Sequence, residues 1–234
     1  MKNIKSIITV LLTVLMMLSL LASCGIAPAE VNTPSIHWRK DVTGKYLEDA
    51  AVRQIITVQA TEGSNAKVML FEKDEVNGKT VWTETLCCDG FIGLNGLGKT
   101  KEGDNKTPIG DFGITTAFGI KENPGTALPY VDVTADIYCC GDENYYNQLI
   151  DITECPHDCA DGEHLIDYTP EYNYGLFLDY NRDGTPGLGS AIFFHCSGAN
   201  PYTGGCVAVK EENMVTILKA LEPGARVVID YLPQ

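Results

Sequence analysis

Short β-rich runs separated by turns dominate the sequence from residue 53 onward, and this pattern constrains the fold more than any other. Two of these runs, RQIITVQA at residues 53–60 and AKVMLFE at residues 66–72, consist mainly of apolar and β-branched residues, which favour strands. The next run, VNGKTVWTETL, contains Asn77-Gly78, a dipeptide that favours a two-residue hairpin turn. Three more strands are predicted at residues 172–181, 189–195 and 225–232.

One segment beyond the N-terminal leader has helical spacing. Residues 211–221 read EENMVTILKAL: the first turn is acidic, Met214, Val215, Leu218 and Leu221 share one face, and Pro223-Gly224 follows as a stop signal. Residues 25–50 lack any periodicity. The sequence therefore predicts a mainly β fold, a single sandwich-like domain over residues 53–232 with one C-terminal helix.

The N-terminus has the pattern of an export signal. MKNIK supplies two lysines and the uncharged run SIITVLLTVLMMLSLLA follows, as in a signal peptide, although the run also approaches the length of a membrane-spanning helix. Leu21-Ala22-Ser23-Cys24 resembles the lipobox of bacterial lipoproteins. We therefore expect residues 1–23 to be a lipoprotein signal peptide and residues 24–52 a tether that starts at a lipidated Cys24. The protein would then be extracytoplasmic and anchored to the bacterial cell membrane through lipid only, facing the cell wall.

The charge of the chain argues against a nucleic-acid partner. The formal net charge is −14, and loss of Lys2 and Lys5 with the leader would make it −16. A surface with this charge repels phosphate backbones and anionic lipid headgroups. The remaining ~210 residues are enough for one domain with a sizeable core.

The cysteines allow more than one arrangement. There are nine, namely Cys24, Cys87, Cys88, Cys139, Cys140, Cys155, Cys159, Cys196 and Cys206. The segment Cys155-Pro-His157-Asp-Cys159, with His164 nearby, offers four potential zinc ligands, but no second C-x-x-C accompanies it. A disulfide within an exported loop is the favoured alternative, and no metal is expected. The sequence leaves the pairing open.

A calcium-loop pattern at residues 179–184 is a weaker signal. Asp179, Asn181, Asp183 and Gly184 match the first half of such a loop, but its twelfth position, which requires a bidentate glutamate, is Ser190. We interpret this segment as a polar turn between two strands.

The segment FFHCSGANPYTGGCVAV at residues 193–209 combines the parts of a nucleophilic site. His195 ends an apolar run, and Cys206 follows Gly204 and Gly205 after a short loop. An imidazole can take the proton of a thiol to form the reactive thiolate. Glycines before the sulfur allow backbone N–H groups to approach a carbonyl oxygen. From spacing alone, a structural histidine and a stapled cysteine fit equally.

Two motifs together resemble one family. His195 followed by Thr-Gly-Gly-Cys-Val is similar to the signature of the L,D-transpeptidase (YkuD-like) family. The upstream stretch NGLGKTKEGDNKTPIGDFGI matches a second family pattern at Gly103, Thr107, Pro108, Gly110 and Phe112. The resemblance covers roughly residues 53–230 and keeps the order of the two motifs.

The resemblance implies roles for individual residues. Cys206 would be the nucleophile and His195 the general acid/base, with the Cys196 carbonyl orienting the imidazole. The N–H groups of Gly205 and Cys206 would form the oxyanion hole. Substrate-binding positions would be Thr203, Gly204, His164 and Thr107. For His164, a structural role as a hydrogen-bonded residue beside a strand is an equally good interpretation. The loop is shorter than in many members, and Ala208 stands where an arginine or asparagine is often found.

The implied activity is peptidoglycan L,D-transpeptidation without a cofactor. The thiolate would attack the diamino-acid carbonyl of a stem peptide, release D-Ala and pass the acyl group to an acceptor amine. A hydrolase of the same fold and a non-catalytic wall-binding lipoprotein are the alternatives. Residues next to each other in a strand point to opposite faces. If His195 faces Cys206, then Cys196 points away from it, so we expect Cys206 to form no disulfide with Cys196.

Overall fold

The computed structural model describes residues 40–231. Its helices are α1 (Lys40–Glu48) and α2 (Glu211–Ala220), and two short 3-10 turns span Leu165–Asp167 and Glu171–Asn173. Its strands are β1 (Gln54–Ala60), β2 (Asn65–Val76), β3 (Lys79–Phe91), β4 (Gly110–Gly119), β5 (Tyr130–Asp132), β6 (Ile137–Cys140), β7 (Gln148–Asp151), β8 (Glu163–His164), β9 (Gly175–Leu178), β10 (Phe193–Cys196), β11 (Val207–Val209) and β12 (Arg226–Tyr231). Among the described residues, no helix is long and apolar enough to cross a membrane.

The main sheet closes on itself. Its strand order is β12-β1-β2-β3-β11-β10-β9-β4-β5, and β12 also pairs with β4. Eight strands thus form a closed ring, to which β5 is added beside β4. The predicted mainly β fold with a C-terminal helix is confirmed, and the sheet forms a barrel-like core instead of two stacked layers. Closure leaves the ring without free strand edges.

Local signals in the sequence explain two of these elements. Asn77 and Gly78 both have positive φ, 53° and 72°, as the tight turn between β2 and β3 requires. Helix α2 buries Met214, Ile217 and Leu218 in the same apolar cluster as the strands of the barrel. Of the face read from the sequence, Met214, Leu218 and Leu221 are buried in this cluster. Val215 is only half-buried, and Ile217 packs in the cluster as well.

Helix α1 lies in the segment for which the sequence predicts a tether. Tyr46 is buried in a cluster with Phe71 and Trp82, and its hydroxyl donates a hydrogen bond to Asp111 (2.5 Å). The Trp82 indole N–H donates to the carbonyl oxygen of Thr43 (3.0 Å). This short helix is stabilised by contacts with distant strands, which residues 40–48 do not reveal by themselves.

A three-stranded sheet of order β7-β6-β8 lies beside the barrel. Cys139 and Ile137 of β6 join Phe118, Phe193 and Cys206 in a second apolar cluster. Cys140, the next residue of β6, belongs to a separate small cluster with Ile150 and Cys159. Strand β6 therefore packs against the barrel through one face and against its own loops through the other.

Candidate active site

Strands β10 and β11, which flank the loop at residues 197–206, lie side by side in the barrel. They pair in parallel, with Phe194 opposite Val207 and His195 opposite Ala208. Both strands are buried throughout. Cys206 therefore stands just before β11, at the level where β10 begins, and both neighbouring strands are fixed by the barrel.

The Cys206 thiol is buried and hydrogen-bonded to backbone. Its Sγ donates to the carbonyl oxygen of Ala191 (3.1 Å) and accepts the N–H of Phe193 (3.3 Å). Burial, followed by the charge of Glu163, raises the pKa of this thiol to about 12, although the Phe193 N–H and Lys99 act in the opposite direction. The resting side chain is therefore a neutral thiol.

The His195 imidazole is held by the backbone of the next residue. Its Nδ1 lies 2.7 Å from the carbonyl oxygen of Cys196, so Nδ1 carries the proton and Nε2 keeps its lone pair. Burial lowers the pKa of this histidine, opposed by the Cys196 carbonyl. The ring meets Tyr172 edge-on, with centroids 5.3 Å apart. His195 is thus a neutral base at ordinary pH.

Two threonine hydroxyls bind the backbone carbonyl group of Cys206. Thr203 Oγ1 donates to the carbonyl oxygen of Cys206 (2.7 Å), and Thr107 Oγ1 donates to the same oxygen (3.1 Å). Thr107 also accepts the N–H of Gly93 (2.8 Å). The two sequence motifs therefore meet at one carbonyl group.

His195 and Cys206 face the same cleft. It has a volume of about 540 Å³, and its lining includes Thr203, Gly204, Gly205 and Ala208. Four carboxylates also line it, namely Glu102, Glu163, Asp167 and Glu171. The cleft therefore combines a thiol, a neutral imidazole and a negative wall.

Comparison with protein families agrees with this geometry. The profile of the L,D-transpeptidase catalytic domain (YkuD) matches residues 54–229. The chain belongs to this family. A comparison with curated proteins finds no match.

Two positions carried over from the L,D-transpeptidase motifs have other contacts than predicted. Thr107 is fully buried, and its hydroxyl is bonded to the backbone of Gly93 and Cys206. The N–H of Gly205 donates to Thr203 Oγ1 (3.1 Å), so in this conformation it is not directed at an oxyanion. Among the described residues, none accepts a hydrogen bond from the N–H of Cys206.

His164 lies outside the cleft. Its Nδ1 contacts Asp167 Oδ2 (2.9 Å) and its Nε2 contacts the carbonyl oxygen of Ala135 (2.8 Å). Its ring stacks on Tyr138, with centroids 4.3 Å apart. Both ring nitrogens are used in these contacts, as expected of a hydrogen-bonded residue beside a strand, so the predicted substrate contact is not supported.

The cleft that His195 and Cys206 face also contains residues that the sequence does not mark as functional. Burial raises the pKa of the Glu163 carboxyl group, which accepts a hydrogen bond from the Tyr172 hydroxyl. Asn147 accepts the N–H of Ala191 (2.9 Å) and so orients the carbonyl group that binds the thiol. Asn147 immediately precedes β7, Glu163 lies on β8 and Tyr172 lies on a 3-10 turn. All three are far from either motif, and no local signal marks them.

Lys99 is a further missed residue of this cleft. Its Nζ forms an ion pair with Asp104 (3.1 Å), and both side chains are almost fully buried. Burial alone would raise the pKa of Asp104. The N–H groups of Thr100 and Lys106, together with Lys99, outweigh it and lower the pKa to about 2. The pair stabilises the loop that carries the Thr-Pro motif. Because Lys99 lies within that motif stretch, its position in the sequence was a signal that could have identified it.

The eight described cysteines are all free thiols. Cys24 and residues 1–39 lie outside the described residues. Cys155 and Cys159 form no disulfide, and the group around His157 contains Cys140 and Cys159 instead. The calcium-like segment is a turn in which Asn181 and Gly184 have positive φ, 47° and 61°, as expected of a polar connection between strands.

Proposed function

We propose that this chain is a peptidoglycan L,D-transpeptidase that uses Cys206 as its nucleophile. The observation that carries the proposal is that the Cys206 thiol and the His195 imidazole line one cleft, with the imidazole held by the Cys196 carbonyl. A neutral thiol beside a neutral, oriented imidazole is suited to acyl transfer. The substrate would be a stem peptide of the cell wall.

The chemistry follows from these protonation states. The Cys206 sulfur attacks the carbonyl carbon of the diamino acid while its proton passes to His195 Nε2. The negative oxygen of the tetrahedral intermediate accepts the N–H of Cys206. Collapse breaks the amide bond, and His195 returns the proton to the departing D-Ala amine. An acceptor amine then attacks the thioester by the same steps, and the thiol is restored.

Before attack, the thiol must leave its resting partners. It donates to Ala191, so productive attack requires a rotation of the Cys206 side chain toward His195. Proton transfer coupled to attack costs less than prior ionisation of a thiol whose pKa is raised to about 12.

The charge of the cleft favours substrates that carry an amine. Glu102, Glu163, Asp167 and Glu171 give it a negative wall, which attracts an ammonium group and repels anions. Both the side chain of a diamino-acid donor and an acceptor amine match this charge.

We further propose that the protein acts outside the cytoplasm on a lipid anchor. Leu21-Ala22-Ser23-Cys24 supports a signal peptide at residues 1–23, a lipidated Cys24 and a tether to residue 52. Changing Cys24 to Ala should leave an unprocessed or released protein. Normal processing and membrane retention of that variant would contradict the anchor.

Incubation of the protein with purified stem tetrapeptides tests the activity. Mass spectrometry should detect release of D-Ala and a cross-linked product, and a carbapenem should add once to the peptide that contains Cys206. Cys206→Ser should abolish both, and His195→Ala should slow acylation by roughly two to four orders of magnitude. Cys87→Ser, on the distant strand β3, serves as the control.

The outcomes separate the alternatives. Release of D-Ala with a shortened peptide and no cross-link would indicate a hydrolase. No adduct and no product would favour a wall-binding protein. Equal acylation of the wild type and His195→Ala across pH would remove the imidazole from the mechanism.

A further inference from the structure

A second cluster of reactive side chains lies away from the cleft, at the outer end of the three-stranded sheet. The ligand atoms of Cys140, His157 and Cys159 all lie within 4.8 Å of one another. His157 Nε2 is 3.3 Å from Cys140 Sγ and 3.0 Å from Cys159 Sγ. We propose that this group is a structural zinc site with two thiolates and one imidazole as protein ligands.

The separations are close to those around a bound ion. In a tetrahedral site with Zn–S near 2.3 Å and Zn–N near 2.0 Å, sulfur and nitrogen lie roughly 3.6 Å apart. The two observed distances are shorter by a few tenths of an ångström, so a small outward shift of the sulfurs accommodates the ion. Soft sulfur with imidazole selects zinc over magnesium or calcium, which prefer oxygen.

The imidazole is oriented as a metal ligand. His157 Nδ1 lies 2.7 Å from the carbonyl oxygen of Cys155, so the proton resides on Nδ1 and the lone pair of Nε2 points at both sulfurs. A backbone carbonyl in this position is the usual outer contact of a zinc-bound histidine. Tyr145 stacks on the ring, with centroids 4.3 Å apart, and further fixes it.

The backbone around Cys140 is also arranged for a thiolate. The N–H of Asp142 donates to Cys140 Sγ (3.4 Å). Gly141 touches the carbonyl oxygen of Asp161, where any Cβ would collide. The loop after β6 and the segment after Cys159 are therefore in close contact, and both sulfurs lie next to His157 Nε2.

A tetrahedral ion held by these three side chains would take its fourth ligand from water. Asp142 Oδ2 lies 3.9 Å from His157 Nε2, but Asp142 is not part of the group whose atoms are all mutually close. Cys155 is also outside this group and contributes its carbonyl oxygen only. Binding of Zn²⁺ releases the two thiol protons to solvent, so affinity falls as the pH is lowered.

A zinc site has a clear physical use here. The cluster of Cys140, Ile150 and Cys159 is small, and a sheet of three short strands with little core gains stability from a metal. Strand β8 of this sheet carries Glu163, which lines the cleft. The ion would therefore hold one wall of the catalytic cleft without taking part in the reaction.

Metal analysis of the purified full-length chain tests the site. We expect one Zn²⁺ per chain after dialysis, protection of Cys140 and Cys159 from alkylation, and exposure of both thiols by a chelator. Titration of the apoprotein with Co²⁺ should give the intense visible absorption of a tetrahedral thiolate site. Chelation should lower the melting temperature by several degrees.

Matched variants assign the ligands. Cys140→Ser and His157→Gln should each weaken Zn²⁺ binding by at least about tenfold, whereas Cys87→Ser and Cys155→Ser should bind like the wild type. If the ligand variants do not fold, the Co²⁺ spectrum of the wild type still decides.

Three results would overturn the proposal. The first is a wild-type apoprotein that gives no thiolate–Co²⁺ absorption. The second is a peptide map, made without reductant, that joins Cys140 to Cys159. The third is loss of zinc from Cys155→Ser as severe as from Cys140→Ser, which would refute the ligand set.

Discussion

The Thr107 hydroxyl offers the sharpest test of how the two motifs are joined. It accepts the N–H of Gly93 and donates to the carbonyl oxygen of Cys206, and the residue is fully buried. Thr107→Val keeps the shape of the side chain and removes only these two bonds. The change therefore isolates the polar contribution.

The expected loss follows from the two groups left behind. The buried N–H of Gly93 would have no acceptor, which costs about 1–3 kcal/mol, and the second bond contributes about 0.5–1.5 kcal/mol. The Cys206 carbonyl keeps the Thr203 hydroxyl, so its share lies at the low end. We expect Thr107→Val to lower the free energy of unfolding by about 1.5–3.5 kcal/mol.

Thr107→Ser is the matched control because it keeps both hydrogen bonds and loses one buried methyl group. Its cost should be about 1 kcal/mol. Urea titration of the wild type and both variants measures the difference. If the valine variant is as stable as the serine variant, the hydroxyl does not join the motifs energetically and the reasoning fails.

Two further predictions concern Cys206 and the glycine before it. The rate of Cys206 alkylation by iodoacetamide, followed by peptide mapping, should rise with pH through pH 10 without levelling off. Burial raises the pKa of this thiol to about 12, and the thiolate fraction grows tenfold per pH unit below the pKa. A rate that levels off near pH 8.5, as for an exposed cysteine, would contradict this prediction. Gly205→Ala should destabilise the protein by more than about 1 kcal/mol, because Gly205 has φ 149° and a Cβ would lie 3.0 Å from the Lys106 carbonyl oxygen. Gly204→Ala is the control: its Cβ would meet open space, so this variant should change the melting temperature little.

Local patterns in the sequence accounted for elements whose stability is mostly local. The positive φ values at Asn77 and Gly78 and the apolar face of α2 follow from residue type and spacing. Helix α1 was missed because its contacts, from Tyr46 to Asp111 and from Thr43 to Trp82, come from distant strands. The spacing of residues 40–48 cannot predict contacts with partners that are far away in the sequence.

The site shows the same division. His195 and Cys206 flank one short loop, so their joint placement is visible in the sequence. The Cys196 carbonyl is adjacent to His195 by necessity. The contacts of Thr107, the exclusion of His164 from the cleft and the use of the Gly205 N–H by Thr203 depend on how segments fold back on each other. Residue identity gives the chemistry of a side chain and leaves its partner undetermined.

Residue identity and spacing along the chain are enough to predict the mainly β class, the hairpin, the C-terminal helix and the residue types that can carry out acyl transfer. The folded structure adds that the sheet closes through β12 and β4 and that Cys140 joins His157 and Cys159 in place of Cys155. Closure and ligand grouping are set by pairings between residues far apart in the chain. Strand periodicity is compatible with an open or a closed sheet alike, so it cannot select one of them.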